Sequence, residues 1–153
     1  MIRTVLLITG VLLLLSGIDV SRASEVSDSE YAQRLIGTWW AREPHRHEEG
    51  MVVSGELEYS ADGTARAELL YHQKDASGSY QLVGRLLLIG RWKIENGILI
   101  TYDVKSLPRV PEIDDRVSRD EILKIGEDKA VFKDLADGKT FERFRKTRSE
   151  NAL

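Results

Sequence analysis

The sequence contains no cysteine, only three prolines and few aromatic residues, and these shortages limit what the protein can be. Without cysteine there is no disulfide scaffold, no cysteine-based zinc ribbon and no thiol nucleophile. The 22 basic and 25 acidic residues give a formal net charge of -3, which argues against bulk binding of nucleic acid. The sequence has no Gly-rich phosphate loop and no G-x-S-x-G motif. We therefore expect a protein that is not an enzyme and needs no cofactor.

Residues 1–23 have the pattern of a bacterial export signal. Arg3 gives a positive start, residues 4–15 are almost wholly apolar, and small residues precede Ser24 at the positions that a signal peptidase reads. A membrane-spanning helix needs roughly 20 apolar residues, whereas Asp19 interrupts this run. We therefore predict cleavage before Ser24, a periplasmic or secreted protein, and no stable membrane insertion after cleavage.

From residue 37 onward apolar and polar residues alternate, which predicts β-strands. The eight predicted strands are Gly37–Arg42, Met51–Tyr59, Thr64–His72, Tyr80–Glu95, Ile98–Ser106, Arg116–Ile125, Ala130–Leu135 and Thr140–Lys146. Residues 24–36 form an N-terminal segment with a short helix, and residues 147–153 form a polar tail. No helical pattern separates the strands, so we predict an all-β domain over 37–146, an eight-stranded antiparallel up-and-down barrel.

The predicted loops differ in length between the two ends of this barrel. One end carries the mostly longer loops, which are 43–50, 73–79, 107–115 and 136–139. The other end carries the tight turns, which are 60–63, 96–97 and 126–129. Asn96-Gly97 is the strongest hairpin signal in the chain. A barrel with one closed end and one open mouth is expected from this asymmetry.

Three short motifs resemble those of the small bacterial lipocalin-like domains. The first is the G-x-W signature at Gly37–Trp39, which follows a short helix and opens the first strand. The second is another G-x-W at Gly90–Trp92, and the third is an aromatic-x-Arg segment at Phe141–Arg145. The resemblance covers residues 35–146 and implies a lipocalin-like barrel, usually a binder of small apolar molecules and rarely an enzyme. It also implies a cation–π contact on Trp39 from an arginine of the last strand, either Arg143 or Arg145.

The candidate ligand-binding residues are the inward-facing apolar and tyrosine side chains near the predicted mouth. They are Met51, Val53, Leu69, Tyr71, Tyr80, Leu82, Tyr102 and Val104. Alternatively the interior is solid, because an eight-stranded barrel is only just wide enough for its own side chains. Small inward residues at Ala65, Ala67, Gly84 and Gly90 either create space or leave room for Trp39, Trp92 and Tyr59 to fill it.

Two loops have other potential functions. The densest set of side chains that could bind a metal lies in the loop with His45 and His47. His72 lies near the same predicted mouth. Their spacing is nonspecific and His72 is in the outward phase of its strand, so a solvated polar loop is favoured and no metal is expected. Residues 107–115, stiffened by two prolines, are either a lid or partner-binding edge, or a connector with a few buried apolar side chains.

These patterns lead to two main hypotheses for the function, and the less favoured metal site at His45, His47 and His72 would give a third, a metal-dependent enzyme. In the first, the protein is an exported lipocalin-like barrel that binds a small apolar or amphipathic molecule without catalysis. In the alternative, it is a solid-core interaction or inhibitor module that binds an envelope protein through its rim loops. The same inward hydrophobic residues serve both hypotheses, so the sequence does not separate them.

Overall fold

Alternation of apolar and polar residues produces eight strands that close into one antiparallel barrel. The computed structural model describes residues 26–44 and 49–146, with the backbone alone at residues 43 and 44. The elements are α1 (Asp28–Leu35), β1 (Gly37–Pro44), β2 (Met51–Tyr59), β3 (Thr64–Lys74), β4 (Tyr80–Glu95), β5 (Ile98–Leu107), β6 (Ser118–Ile125), β7 (Lys129–Asp134) and β8 (Thr140–Arg145). Each strand pairs with its neighbours in the chain, and β8 pairs back onto β1.

The predicted antiparallel, eight-stranded barrel with a short helix is therefore confirmed. Every strand begins and ends within two residues of its predicted bounds, and β4 is one long strand as predicted. The predicted signal at 1–23, the tail at 147–153 and the residues His45 and His47 lie outside the described residues. Among the residues described, no helix is long and apolar enough to cross a membrane.

Helix α1 covers the end of the barrel that carries the tight turns, which we call the closed end. The Ser27 side chain caps the helix by accepting a hydrogen bond from the amide of Glu30. The Asp28 carboxylate accepts hydrogen bonds from the backbone N–H groups of Asn96 and Gly97, at 2.7 and 2.8 Å. Because Asn96-Gly97 is the β4–β5 turn, these two bonds tie the helix to the barrel.

Trp39 and Arg145 complete the closed end. Trp39 is fully buried, and its indole N–H donates a 2.7 Å hydrogen bond to the backbone oxygen of Leu35. The guanidinium carbon of Arg145 lies 4.2 Å from the ring centroid of Trp39. A Cβ atom at Gly37 would lie 2.8 Å from Arg145 Nη1, so the glycine of this G-x-W segment makes room for the arginine. Of the two arginines considered, Arg145 makes the cation–π contact.

The hydrophobic core fills the closed half of the barrel. Its buried members are Leu35, Trp39, Tyr59, Ala65, Trp92, Leu99, Ile122, Ile125, Ala130 and Phe132. The opposite end, which we call the loop end, carries residues 49–50 and the connections 75–79, 108–117 and 135–139. The predicted difference between the two ends is therefore present, with the core packed against the tight turns.

The prediction that Leu82 of β4 and Tyr102 of β5 face inward is wrong, because a bulge interrupts the alternation in each strand. Asp103, at φ 52°, and Val104 together lie opposite Gly90, because Ile89 pairs with Lys105 and Arg91 with Tyr102. The extra residue changes the phase of β5. As a result Leu99, rather than Ile98, is buried in the core.

The second bulge lies near the start of β4. Tyr71 pairs with Gly84 but the next residue, His72, pairs with Leu82, so Val83 is the extra residue. Leu82 therefore leaves the row that contains Gly84 and shares a face with His72 instead. Both Leu82 and Val83 are 58% exposed.

Candidate ligand pocket

A cavity of about 210 Å³ lies in the middle of the barrel, between the core and the loop end. It is bordered by Leu57, Tyr59, Ala65, Arg66, Ala67, Leu88, Gly90, Thr101, Val104, Ile113, Arg116, Ser118 and Arg143. The small side chains of Ala65 and Ala67 leave the space, while Trp39 and Trp92 fill the closed end below it. A Cβ atom at Gly90 would lie 2.9 Å from the backbone oxygen of Tyr102, so only glycine permits the local approach of β4 to β5.

The floor of the cavity is polar. The Arg143 guanidinium donates a hydrogen bond to the Tyr59 hydroxyl, and its Nη2 lies 3.9 Å from a carboxylate oxygen of Asp120. Both charged side chains are about nine-tenths buried. The guanidinium carbon also lies 4.7 Å from the ring centroid of Phe132 and 5.0 Å from that of Phe141. The charge of Arg143 is thus held between a carboxylate and aromatic faces.

Tyr59 provides an uncharged hydrogen-bonding group at this floor. Burial raises the pKa of its hydroxyl, although the neighbouring positive charge of Arg143 acts in the opposite direction. The phenol is therefore protonated at neutral pH. Its ring packs edge-on against Trp92, with the centroids 5.5 Å apart, which joins the cavity floor to the core.

The side of the cavity toward β6 is bordered by a loop rather than by a strand. β5 pairs with β6 only over Ile98–Thr101, although β5 itself continues to Leu107. Residues 108–117, which we call the cover segment, fold back over the unpaired half of β5. Among them, the amide of Asp115 donates a 2.7 Å hydrogen bond to the backbone oxygen of Val104.

Asp114 is the main attachment of the cover segment. One oxygen of its carboxylate accepts hydrogen bonds from the backbone N–H and the hydroxyl of Ser106, both at 2.7 Å. The Ser106 hydroxyl oxygen in turn accepts from the amide of Val110, also at 2.7 Å. The hydrogen bonds from Ser106 lower the pKa of the Asp114 carboxyl below its ordinary value. The cover segment also contributes Ile113 and Arg116 to the cavity wall.

The predicted ligand-binding residues divide into three groups in the structure. Val104 borders the cavity. Met51, Val53, Leu69 and Tyr71 are half-buried and lie nearer the loop end, above the cavity. Tyr80 and Leu82 are 43% and 58% exposed. Ligand binding by these residues stays a prediction.

Tyr102, the remaining predicted residue, does not share a face with Val104. The bulge at Asp103 separates the two, and Lys93 Nζ lies 5.8 Å from the centroid of the Tyr102 ring. Lys93 is exposed and pairs with the exposed Glu95. Tyr102 therefore lies on the outer surface, and Thr101 takes its expected place beside the cavity.

Sequence reasoning missed the polar residues of the cavity. Arg143 and Arg116 were not predicted to lie in the barrel interior or its wall. The alternation of β8 does indicate that Arg143 faces inward, because Arg143 follows Phe141 in the inward row. Asp120 likewise precedes Ile122 in the inward row of β6. A charged residue in an inward, otherwise apolar row indicates a buried polar partner, because burial of an unpaired charge is costly.

The structure does not test the metal site that the sequence suggested at His45, His47 and His72. His72 is half-buried in β3, whereas His45 and His47 are not among the described residues. Over residues 26–44 and 49–146, no three histidine, aspartate or glutamate side chains form a group that could hold a metal ion.

Comparison with known proteins gives no family for the chain. No protein-family model matches the sequence, and no curated protein matches it.

Proposed function

We propose that the protein is an exported, lipocalin-like binding protein that holds a small apolar or amphipathic molecule in the barrel cavity, without catalysis. The observation that carries this proposal is the cavity of about 210 Å³ beside Ala65, Ala67 and Gly90. A barrel built only for stability would gain by filling this space, because empty volume forfeits packing contacts.

The architecture around the cavity supports the proposal. The hydrophobic core lies in the closed half, so the loop end is not needed for the densest packing. The cover segment borders the cavity and is held by hydrogen bonds rather than by a continuous strand ladder. Export through the signal at 1–23 is part of the proposal, and an intact mass of the exported protein that begins at Ser24 would support it.

The experiment is a binding assay on the mature protein, purified without detergent. Native mass spectrometry identifies any ligand that copurifies, and calorimetry then measures binding of small apolar probes such as indole and hexanol. Ala67→Leu places three additional carbons in the cavity and should weaken binding at least about tenfold, with a melting temperature equal to or higher than that of the wild type. Ala76→Leu, in an exposed loop, is the matched control and should bind like the wild type.

Failure of the wild-type protein to bind any such probe would contradict the proposal and favour the alternative interaction module. That alternative has an observation of its own. Leu107, Leu82 and Val83, all at the loop end, are 68%, 58% and 58% exposed. Apolar side chains at this exposure are suited to contact with a protein partner.

A further inference from the structure

The charged side chains that border the cavity all have the same sign. They are Arg116 and Arg143, because Arg66 alternates with the inward Ala65 and Ala67 and its side chain lies on the outer face. Among the described residues no carboxylate borders the cavity. We propose that the cavity selects a small amphipathic monoanion, such as a carboxylate, with its apolar part inside and its charged group on Arg116. This inference rests on the proposed function and adds the chemical class of the ligand and the way it is oriented.

The size of the cavity limits the apolar part. An apolar cavity of about 150 Å³ binds benzene, so about 210 Å³ has room for a ring with a short substituent or for a short chain. The apolar walls at Leu57, Ala67 and Leu88 contact such a group from two sides. A long acyl chain would not fit within this space.

Arg143 is not the proposed anchor for the anion, because its charge already has partners. It donates to Tyr59 and lies 3.9 Å from Asp120 in a nearly fully buried position. A ligand carboxylate there would place two negative charges around one buried guanidinium, which is costly in a medium of low dielectric constant.

Arg116 is placed differently. It is exposed at the rim of the cavity, and its backbone N–H donates to the backbone oxygen of Ile113. Within the described part of the chain its guanidinium has no hydrogen-bond or ion-pair partner. A guanidinium binds a carboxylate through two parallel hydrogen bonds, and at the rim both groups keep part of their hydration.

The two acidic residues that precede Arg116 in the chain each have another partner. Asp114 accepts from Ser106 and faces Arg109 Nε at 3.3 Å. Asp115 pairs with Lys105 at 2.6 Å. Arg66 lies on the outer face of β3, opposite the exposed Glu58, and does not compete for the ligand. Arg116 is therefore the cation at the cavity that is best placed to bind an anion from outside.

The test is a calorimetric titration with three probes that share one six-carbon chain, namely hexanoate, hexanol and hexylamine. We expect hexanoate to bind at least about tenfold more tightly than hexanol, and hexylamine to bind more weakly than hexanol. Arg116→Gln should reduce the affinity for hexanoate to that for hexanol, whereas Arg116→Lys should retain a preference for the anion. Arg119→Gln is the matched control, because Arg119 is an exposed arginine three residues further along the chain, in β6, and does not border this cavity.

The outcomes separate this inference from the proposed function. If hexanol binds as tightly as hexanoate, and Ala67→Leu weakens both, the proposed function stands and the selection of an anion is overturned. A preference for hexanoate that survives Arg116→Gln would also overturn the inference, because the anion would then be held elsewhere. If the wild type binds none of the three probes, both proposals fail.

Discussion

Two arginines on β8 have the same side chain and very different environments. Arg145 lies over Trp39 and donates hydrogen bonds to the backbone oxygens of Glu127, Ile36 and Arg34 at the closed end. A cation–π contact of this kind contributes about 0.5 to 2 kcal/mol. Arg143, two residues earlier, points into the barrel, where its charge depends on Asp120. The first arginine closes the barrel, and the second supplies a polar floor to the cavity.

The buried pair of Arg143 and Asp120 leads to a prediction for a single substitution. Asp120→Asn keeps the shape of the side chain but leaves the Arg143 charge uncompensated in an interior position. We expect the free energy of unfolding to fall by about 3 to 5 kcal/mol, as measured by urea denaturation. Glu121→Gln, at the neighbouring and more exposed position, is the control and should change stability by less than about 1 kcal/mol. Equal effects of the two substitutions would show that the pair does not stabilise the fold.

At the scale of elements, the cover segment is a loop held in place by one short set of hydrogen bonds. It covers the half of β5 that β6 does not reach, and it contributes Ile113 to the cavity wall. The sequence left open whether residues 107–115 are a lid or a connector. The observed contacts place apolar and charged side chains of this loop at the cavity, and opening of the loop as a lid stays a prediction. Helix α1 contrasts with it, since Leu35 of that helix belongs to the core.

The attachment of the cover segment should depend on pH. Ser106 stabilises the ionised Asp114 carboxylate and holds its pKa below the ordinary value of 3.8. A lowered pKa contributes stability that is present above the ordinary pKa and is lost as the pH falls through the lowered pKa. We therefore expect the wild type to be more stable than Asp114→Asn at neutral pH, with a difference that shrinks below about pH 3.8.

The measurement is the free energy of unfolding of both proteins between neutral pH and acid. Asp128→Asn, at an exposed turn, is the control, and at neutral pH we expect it to change the free energy of unfolding much less than Asp114→Asn does. A difference for Asp114→Asn that stays constant down to the lowest pH would contradict the role of the ionised carboxylate.

At the scale of the whole molecule, the barrel is continuous but unevenly closed. β1 and β8 pair only at Trp39–Arg145 and Trp40–Phe144, close to the closed end. β5 and β6 also pair only near that end, over Ile98–Thr101. The buried core lies there too. The two halves of the barrel should therefore differ in local stability.

Hydrogen exchange measures this difference. Backbone amides of β7 and of the closed-end part of β1 should exchange only through global unfolding. Amides over residues 102–107 should exchange faster, through local opening of the cover segment. Binding of a cavity ligand should slow exchange over 102–117 in particular. Uniform protection along β5 would contradict this gradient of stability.

The fold was largely predictable because it depends on local patterns. Period-two alternation identifies each strand, Asn96-Gly97 sets one turn, and the absence of helical patterns leaves antiparallel closure as the simple arrangement. The candidate site was less predictable. Small inward residues at Ala65, Ala67 and Gly90 indicated possible space, but the bulges at Val83 and Asp103 moved Leu82 and Tyr102 away from the interior.

The sequence by itself determined the number of strands, their order and which end of the barrel is closed, because these follow from short-range alternation and loop length. Only the tertiary structure decided that Arg143 meets Asp120, that the cover segment borders the cavity, and that Arg116 lies at its rim. Such contacts join residues on different strands, and a bulge changes them by altering the register at a distance from the residues concerned.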